Sequence, residues 1–316
     1  MAEQSLTTAG TATAIADAGR EARTQFKSLS NRARAWRRFR QNRLALAGLV
    51  VVALMVLMAL GAPLISRYIT HVSLSKQSLL SKYVPAGSKA SGGLYLFGAD
   101  ELGRDIFTRI AYGAQVSLGV AFLAATVAVT VGTVVGAVAA YYGGWVDSVL
   151  MRFVDVMLCI PSLILLILVG ALVHVGPQIL ALIIALLGWF GLSRLIRAEI
   201  LSVRKREYVE AARVIGAPDR VIIFRHILPN VTHIIIIFAT GALPAFILEE
   251  AALSFLGLGI QPPTPSWGNM LTNALAALYQ SPGVAFYPGL FITLTVLAFI
   301  IIGNALRDAL DPRLTK

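Results

Sequence analysis

The sequence predicts an all-α integral membrane protein with six transmembrane helices. Of its 316 residues, 57% are hydrophobic and 14% are charged, whereas about a quarter of the residues of a soluble domain are charged. Long apolar runs without a formal charge recur along the chain, and 21 of its 27 Lys and Arg residues fall on one face of the resulting topology. Because basic residues are retained on the cytoplasmic side, this asymmetry predicts that both termini are cytoplasmic.

The net charge of +11 and the pI near 10.1 are also compatible with nucleic-acid binding. The basic residues flank apolar spans, however, and membrane topology explains that placement better, so no nucleic-acid partner is expected. The single cysteine, Cys159, has no intrachain partner. No metal site is expected either, because His174 stands in an apolar run without other ligands nearby.

The chain begins with a predicted disordered cytoplasmic tail over residues 1–31, rich in Ala, Thr, Ser and Gly. A mitochondrial presequence is a weaker alternative, because the tail also contains acidic residues. Residues 32–65 combine a cluster of six arginines with the first span, which is uncharged from Leu44 onward. Trp36 and Phe39 in the basic cluster are predicted to be anchors at the membrane interface.

Residues 66–111 are predicted to form an external loop, and residues 112–306 a core of five further helices. Near the end of the loop, Gly98 and Gly103 bracket a charged turn, and Asp105 is suited to cap the helix that follows. The remaining spans are expected at 115–140, twice within 156–193 around a hairpin at 174–177, at 231–252 and at 288–306. A short internal loop is expected at 141–155, and residues 307–316 form a cytoplasmic tail.

Two local features of the sequence give structural predictions that can be checked. Gly132 and Gly136, four residues apart, allow another helix to approach closely. The external segment 256–287 contains Trp267 and Tyr279, which are expected to be interfacial anchors, and residues 269–278 are predicted to form a short helix at the membrane.

The internal loop at 198–230 contains the longest charged stretch in the second half of the chain. The spacing of its apolar residues predicts a short helix, a tight turn and a second helix. Gly216 is expected to end the first helix, and Pro218 to be the first residue of the second. One face of the first helix is expected to carry Tyr208, Ala211, Ala212 and Ile215.

Motifs for chemistry within this chain are scarce. The sequence has neither the G-x-x-x-x-G-K-[ST] nucleotide-binding loop nor an H-E-x-x-H zinc motif. Ser193 follows a glycine-containing stretch but has no evident histidine base. No catalytic residue, cofactor site or metal site is therefore expected, and the pattern favours a pore-forming subunit that is driven by a partner.

The loop at 198–230 resembles the EAA loop of binding-protein-dependent ABC importer permeases, because Glu210-Ala211-Ala212 is followed by Gly216 and then by Ile227-Leu228-Pro229. Within that group the chain is similar to the dipeptide/oligopeptide/nickel permease family. The similarity extends over about Arg38 to Leu314, and its longest stretches are GADELGRD, GGWVDSVLMRFVD, LEEAALSFLGLG, QPPTPSWGNML and LRDALDPRL.

This resemblance implies a type I ABC importer permease in a bacterial inner membrane. The implied partners are a sister permease, two ABC ATPase subunits that hold ATP and Mg, a periplasmic or lipoprotein solute-binding protein, and membrane lipid. Coupling to the ATPases would fall to residues of the EAA loop, namely Tyr208, Glu210, Ala211, Ala212, Gly216, Ala217, Ile227, Leu228 and Pro229.

Five charged residues are candidates for the solute pathway or an external gate: Asp100, Arg104, Asp105, Glu249 and Glu250. Peptides carry an amine and a carboxylate that such groups could bind, but the same groups could instead contact the binding protein or the sister chain. The sequence leaves dipeptides, oligopeptides, nickel complexes and glutathione open as substrates. A self-sufficient secondary transporter is the alternative from another class, for which charged pairs within the membrane and broken helices would be expected.

Overall fold

The computed structural model describes residues 31–173, 175–272 and 274–310, leaving aside the side chains of residues 31–35 and 275. The predicted tail before residue 31, His174 and the end of the C-terminal tail at 311–316 lie outside this range. Most of the described chain is helical.

The basic cluster forms a helix that packs against the end of the last span. Helix α1 (Asn31–Gln41) is followed by α2 (Arg43–Leu60), and Asn42 caps α2 by accepting a hydrogen bond from the backbone N–H of Ala45 at 3.1 Å. Phe39 is 6% exposed and is packed against Ala305 and Ala309, so its prediction as an interfacial anchor is wrong. Trp36, in contrast, is 58% exposed.

The predicted external loop is a small folded cap rather than an open polar segment. The first span continues five residues beyond its predicted end through Ala62–Leu64 and a π-helical segment, Ile65–Thr70. A hairpin then pairs β1 (Ser88–Ala90) with β2 (Gly93–Tyr95) around a turn in which both central residues have positive φ, the pattern of a type I′ turn. This hairpin is an exception to the predicted all-α fold.

The cap has its own small core, and its two ends meet. Val72, Tyr95 and Ala99 are buried together. The hydroxyls of Thr70 and Thr108 share a hydrogen bond of 2.8 Å, which joins the point where the chain leaves the first span to the point where it enters the next.

Helix α3 (Ile106–Tyr142) is the centre of the bundle. Its 37 residues extend about 55 Å, which exceeds the roughly 30 Å of a hydrocarbon core. As predicted, Asp105 caps it, accepting a hydrogen bond from the N–H of Thr108 at 2.8 Å. The buried face of α3, which is rich in alanine, packs against α2 and against several helices further along the chain.

The middle of the chain contains two bent helix pairs. Helices α4 (Gly144–Leu158) and α5 (Ser162–Leu172) meet at 84°, and α6 (Pro177–Gly188) and α7 (Phe190–Val203) meet at 44°. The short internal loop predicted at 141–155 is therefore wrong, because most of it belongs to α4. Pro161 accounts for the sharper bend, since it has no N–H to continue a helix and disfavours helical backbone before it.

The second half returns to long helices. A short helix, α8 (Glu207–Val214), precedes an uninterrupted helical segment that starts at Asp219, passes through a π-helical stretch and continues as α9 (Leu228–Phe255). The predicted helix at 269–278 is divided into a 3₁₀ turn and α10 (Ala274–Ala277), and Asn273 between them lies outside the described residues. Helix α11 (Gly283–Leu310) ends the described chain.

These elements agree with the predicted six-span helical fold. In the part of the chain that the structure describes, four helical segments are long and apolar enough to cross a membrane by themselves, and the number rises to six if each bent pair forms one span.

The close approach of α3 and α7 confirms the prediction for the two glycines and can be tested. A Cβ atom on Gly136 would lie 2.5 Å from the Ser193 carbonyl oxygen and 2.9 Å from the Ile196 Cβ, whereas a Cβ on Gly119 of the same helix would meet nothing within 4 Å. We expect Gly136→Val to destabilise the purified protein by about 1–3 kcal/mol through overpacking, and Gly119→Val to have little effect. Thermal unfolding in detergent measures both, and equal melting temperatures would contradict this packing.

Candidate functional site

The turn between α8 and the next helix has a defined hydrogen-bonded geometry. Gly216 has a φ of +77°, and the N–H groups of Gly216 and Ala217 donate to the carbonyls of Arg213 and Ala212 at 3.0 and 3.1 Å. This pair of bonds is a Schellman motif, which favours glycine at the left-handed position. Gly216 thus ends the helix as predicted, but Pro218 is the N-cap of the next helix and not its first residue.

Helix α8 is held against the protein by one narrow face. Val209 is fully buried and Ala212 is 6% exposed, and both pack in a cluster with Ile222, Ile227 and Val231. Ala212 therefore fills an internal position, and the expectation that it faces a partner together with Tyr208, Ala211 and Ile215 is wrong.

The opposite side of the loop is open and apolar at its tip. Val214 and Ile215 are 87% and 83% exposed, and Tyr208 is 43% exposed. Glu210 and Ala211 are also exposed. An exposed apolar tip beside charged residues is typical of a protein-binding surface. We call Tyr208, Glu210, Ala211, Val214 and Ile215 the coupling tip. Val214 was missed in the sequence, although its position beside Ile215 just before the helix-ending glycine is a signal.

The remaining predicted loop residues support the tip from behind. Ile227 is 1% exposed, and Ala217 and Leu228 are half-buried against the same cluster. Pro229 is exposed at the junction where the π-helical stretch Ile222–Ile227 continues into α9.

Polar contacts fix the base of the loop to neighbouring helices. The Tyr141 hydroxyl, at the end of α3, donates to Asp219 Oδ1 at 2.5 Å, and Arg204 Nη1 donates to the Ala140 carbonyl at 3.1 Å. Arg197 on α7 binds both carboxylate oxygens of Asp147 on α4. A displacement of the loop would therefore be transmitted to α3 and α4 through short, directional contacts.

At the end of α3 remote from the coupling loop, two of the predicted gate residues, Asp100 and Arg104, form an ion pair. Asp100 Oδ2 lies 2.6 Å from Arg104 Nε, and Asp100 Oδ1 accepts the N–H groups of Leu102 and Arg104 at 3.0 and 2.9 Å. Burial raises the pKa of the Asp105 carboxyl, which caps α3. These side chains shape the turn that leads into α3, and Asp100 and Arg104 line a cavity of about 230 Å³.

Glu250 is also engaged within the chain. It is fully buried, and the Ser254 hydroxyl donates to its Oε1 at 2.8 Å. Buried Ser117 of α3 lies in the same polar cluster and accepts the backbone N–H of Trp267 at 3.1 Å. The indole Nε1 of Trp267 donates to the Ile110 carbonyl at 3.1 Å. Trp267 is fully buried, so its prediction as an interfacial anchor is wrong, whereas Tyr279 is 99% exposed.

Glu249, its neighbour in sequence, has a different environment. It is half-buried on α9, and the Ser162 hydroxyl, at the start of α5, lies 3.5 Å from its Oε1. Adjacent residues of a helix point about 100° apart, so one glutamate of the pair is enclosed while the other reaches the surface of the bundle.

Side chains that bind metals are not grouped within the described ranges 31–173, 175–272 and 274–310. Within them, no group of three or more His, Cys, Asp and Glu side chains is placed to hold a metal ion.

Comparison with known proteins gives two family matches. The model described as "Binding-protein-dependent transport system inner membrane component" matches residues 128–316, more than half of the chain. A second, described as the N-terminal TM domain of oligopeptide transport permease C, matches residues 30–81.

Individual relatives are similar over nearly their whole length. The oligopeptide transport system permease protein of Bacillus subtilis is 37% identical over 303 residues, which is 96% of each chain. The dipeptide transport system permease protein of the same organism is 40% identical over 92% of this chain and 88% of its own. The glutathione transport system permease protein of Escherichia coli O157:H7 is 39% identical over 88% of this chain and 89% of its own.

The contact between Tyr141 and Asp219 yields a prediction for the stiffness of the loop. Tyr141→Phe removes a hydrogen bond to a carboxylate, a loss of about 1.5 kcal/mol, and should speed backbone hydrogen exchange over residues 207–221 roughly tenfold. Tyr142→Phe is the matched control, because the Tyr142 side chain is 59% exposed. Unchanged exchange in Tyr141→Phe would show that this contact does not hold the loop.

Proposed function

Because the chain belongs to the family of binding-protein-dependent transport system inner membrane components, we propose that it is one of two permease subunits of an ATP-driven importer of short peptides. The relatives described above are named for oligopeptides, dipeptides and glutathione, which share a peptide backbone. That shared chemistry supports peptides over nickel complexes as the substrate class of this chain.

The proposed contact with the ATPase subunits rests on the exposed apolar surface of the coupling tip. Two large apolar side chains, Val214 and Ile215, are almost fully exposed at the end of a helix that is itself fixed in place. Solvent exposure of such a pair is unfavourable unless a partner covers it. We assign this surface to the ATPase subunits. Those subunits would hold ATP and Mg, and this chain would be neither an enzyme nor a cofactor-binding protein.

The mechanism follows from the continuity of the helix behind the tip. From Asp219 to Phe255 the chain is helical without a break over 37 residues, a length of about 55 Å. Closure of the ATPases would press on the coupling tip, and the Schellman turn and the Tyr141–Asp219 contact would pass that motion to α9 and α3. Such rigid-body motion can alternate the pathway between inward-open and outward-open states.

The proposed orientation places the coupling tip, α1 and both termini on the cytoplasmic side of a bacterial inner membrane. The six arginines of residues 32–43 and the exposed, charged loop support this orientation. The folded cap and the segment containing Trp267 would then face a solute-binding protein, and the sister permease would complete the pathway.

One structural feature favours the alternative of a self-sufficient secondary transporter. The two bent helix pairs resemble the broken helices on which such transporters build their sites. The family match and the coupling tip weigh against that alternative. Purification of the chain together with its partners distinguishes the two functions.

The deciding experiment is purification of the tagged chain from its native membrane in mild detergent, followed by identification of its partners and an ATPase assay. We expect a sister permease and P-loop ATPases to co-purify with ATPase activity. A chain that elutes alone and moves peptide in vesicles without ATP would overturn the proposal.

The same preparation tests the coupling tip. Val214→Asp together with Ile215→Asp places two charges where an apolar contact is expected, so the ATPases should be lost from the complex while the chain remains in the membrane. Leu79→Asp with Leu80→Asp is the matched control, because these leucines are 75% and 99% exposed on the external cap. Full retention of the ATPases by the tip variant would show that they bind elsewhere.

A further inference from the structure

Of the three pathway candidates that form no ion pair among the described residues, Asp105, Glu249 and Glu250, Glu249 is the one that is not fully buried. Asp100 pairs with Arg104, Asp105 caps α3, and Glu250 is fully buried and accepts a hydrogen bond from Ser254. Among the described residues, the ion pairs do not include Glu249, and its hydrogen-bond donor is a serine at 3.5 Å.

The depth of Glu249 makes that environment costly. It lies six residues before the end of α9 at Phe255, which is about 9 Å along the helix axis. A carboxylate at such a depth needs water or a cation to offset its desolvation. Since Glu249 is only half-buried, one side of it is open to whatever occupies the surface of the bundle.

The helix face that carries Glu249 is not suited to lipid. Gly241, Ala245 and Glu249 recur at four-residue steps and so share one face, and both small residues are exposed. A Cβ atom on Gly241 would meet nothing within 4 Å. A lipid-facing stripe is normally built from large apolar side chains, whereas small residues with a carboxylate favour a facing protein or a water-filled passage.

The neighbouring helix break adds an independent feature at the same place. Ser162, which contacts Glu249, is the first residue of α5 after the 84° bend. It also lines a cavity of about 220 Å³ at that bend. In membrane transporters, interrupted helices with polar groups beside them are typical surroundings of a solute site.

We propose that this face of α9 lines the solute pathway and that Glu249 binds the α-ammonium group of the peptide during its passage. The inference rests on the proposed function. An ammonium group is the cation that peptides share whatever their sequence, and it would supply the charge that Glu249 lacks within the chain. A single carboxylate with one hydroxyl is too small a ligand set for a metal ion.

The first test is uptake by the complete complex in proteoliposomes with its solute-binding protein. The substrates are one peptide with a free N-terminus and the same peptide N-acetylated. We expect Glu249→Gln to lower kcat/KM for the free peptide about tenfold, the loss typical of removing one partner of a partly buried ion pair. The acetylated peptide should be unaffected, and Glu249→Asp, which keeps the charge, should retain most of the activity. An equal loss for both peptides, or none, would overturn the inference.

The second test measures access directly and does not depend on which peptides the binding protein accepts. The chain has one cysteine, so Cys159→Ser with Glu249→Cys gives a single reactive site. We expect a water-soluble thiol reagent added from outside to label it, and binding protein loaded with free peptide to slow the labelling. Absence of labelling would overturn the inference.

Two further outcomes separate this inference from its premise. If the wild-type complex shows no ATP-dependent uptake of any peptide, the proposed function itself fails. If wild-type uptake is normal but Glu249→Gln loses the sister chain on purification, Glu249 is an assembly contact and the ammonium site is refuted.

Discussion

Backbone-to-backbone contact between α3 and α7 is the constraint on which the other features depend. Within a bilayer the hydrophobic effect does not drive helices together, so association relies on close packing of small residues. Gly132 and Gly136 provide that contact, because the carbonyls of Trp189 and Ser193 lie where their side chains would begin. Helix α7 leads directly into the coupling loop, and the same α3 anchors Trp267 near its N-terminal end. One helix therefore relates the two faces of the protein.

The features of the fold that the sequence predicts are those with a signal in composition or in neighbouring residues. Composition and charge predict the spans and their number because hydropathy integrates over many residues, and Asp105 is recognisable as a cap because capping is local. The 84° angle of the bend at Pro161 is not predicted, since hydropathy carries no direction. Phe39 and Trp267 were placed at the interface as aromatic residues near span ends, but partners distant in sequence bury both of them.

The candidate site shows the same limit at the scale of single side chains. A helical period shows that Ala211 and Ala212 are neighbours on a surface, but the position of the rest of the bundle decides which one points inward. The doublet Glu249-Glu250 is similar: two identical residues, adjacent in sequence, have opposite surroundings because a helix turns by about 100° per residue. Tertiary structure is needed to separate a residue that stabilises the fold from one that meets a ligand.

The hydrogen bond between Thr70 and Thr108 has a consequence for how this protein can change over time. The folded cap leaves the bundle and returns to it at one point, and it closes around its own small core. An insertion whose ends touch can lengthen, shorten or be replaced at a small cost in loop entropy and without shifting the helices beneath it. The cap is thus a module that evolution or an engineer can exchange, while the membrane core keeps its geometry.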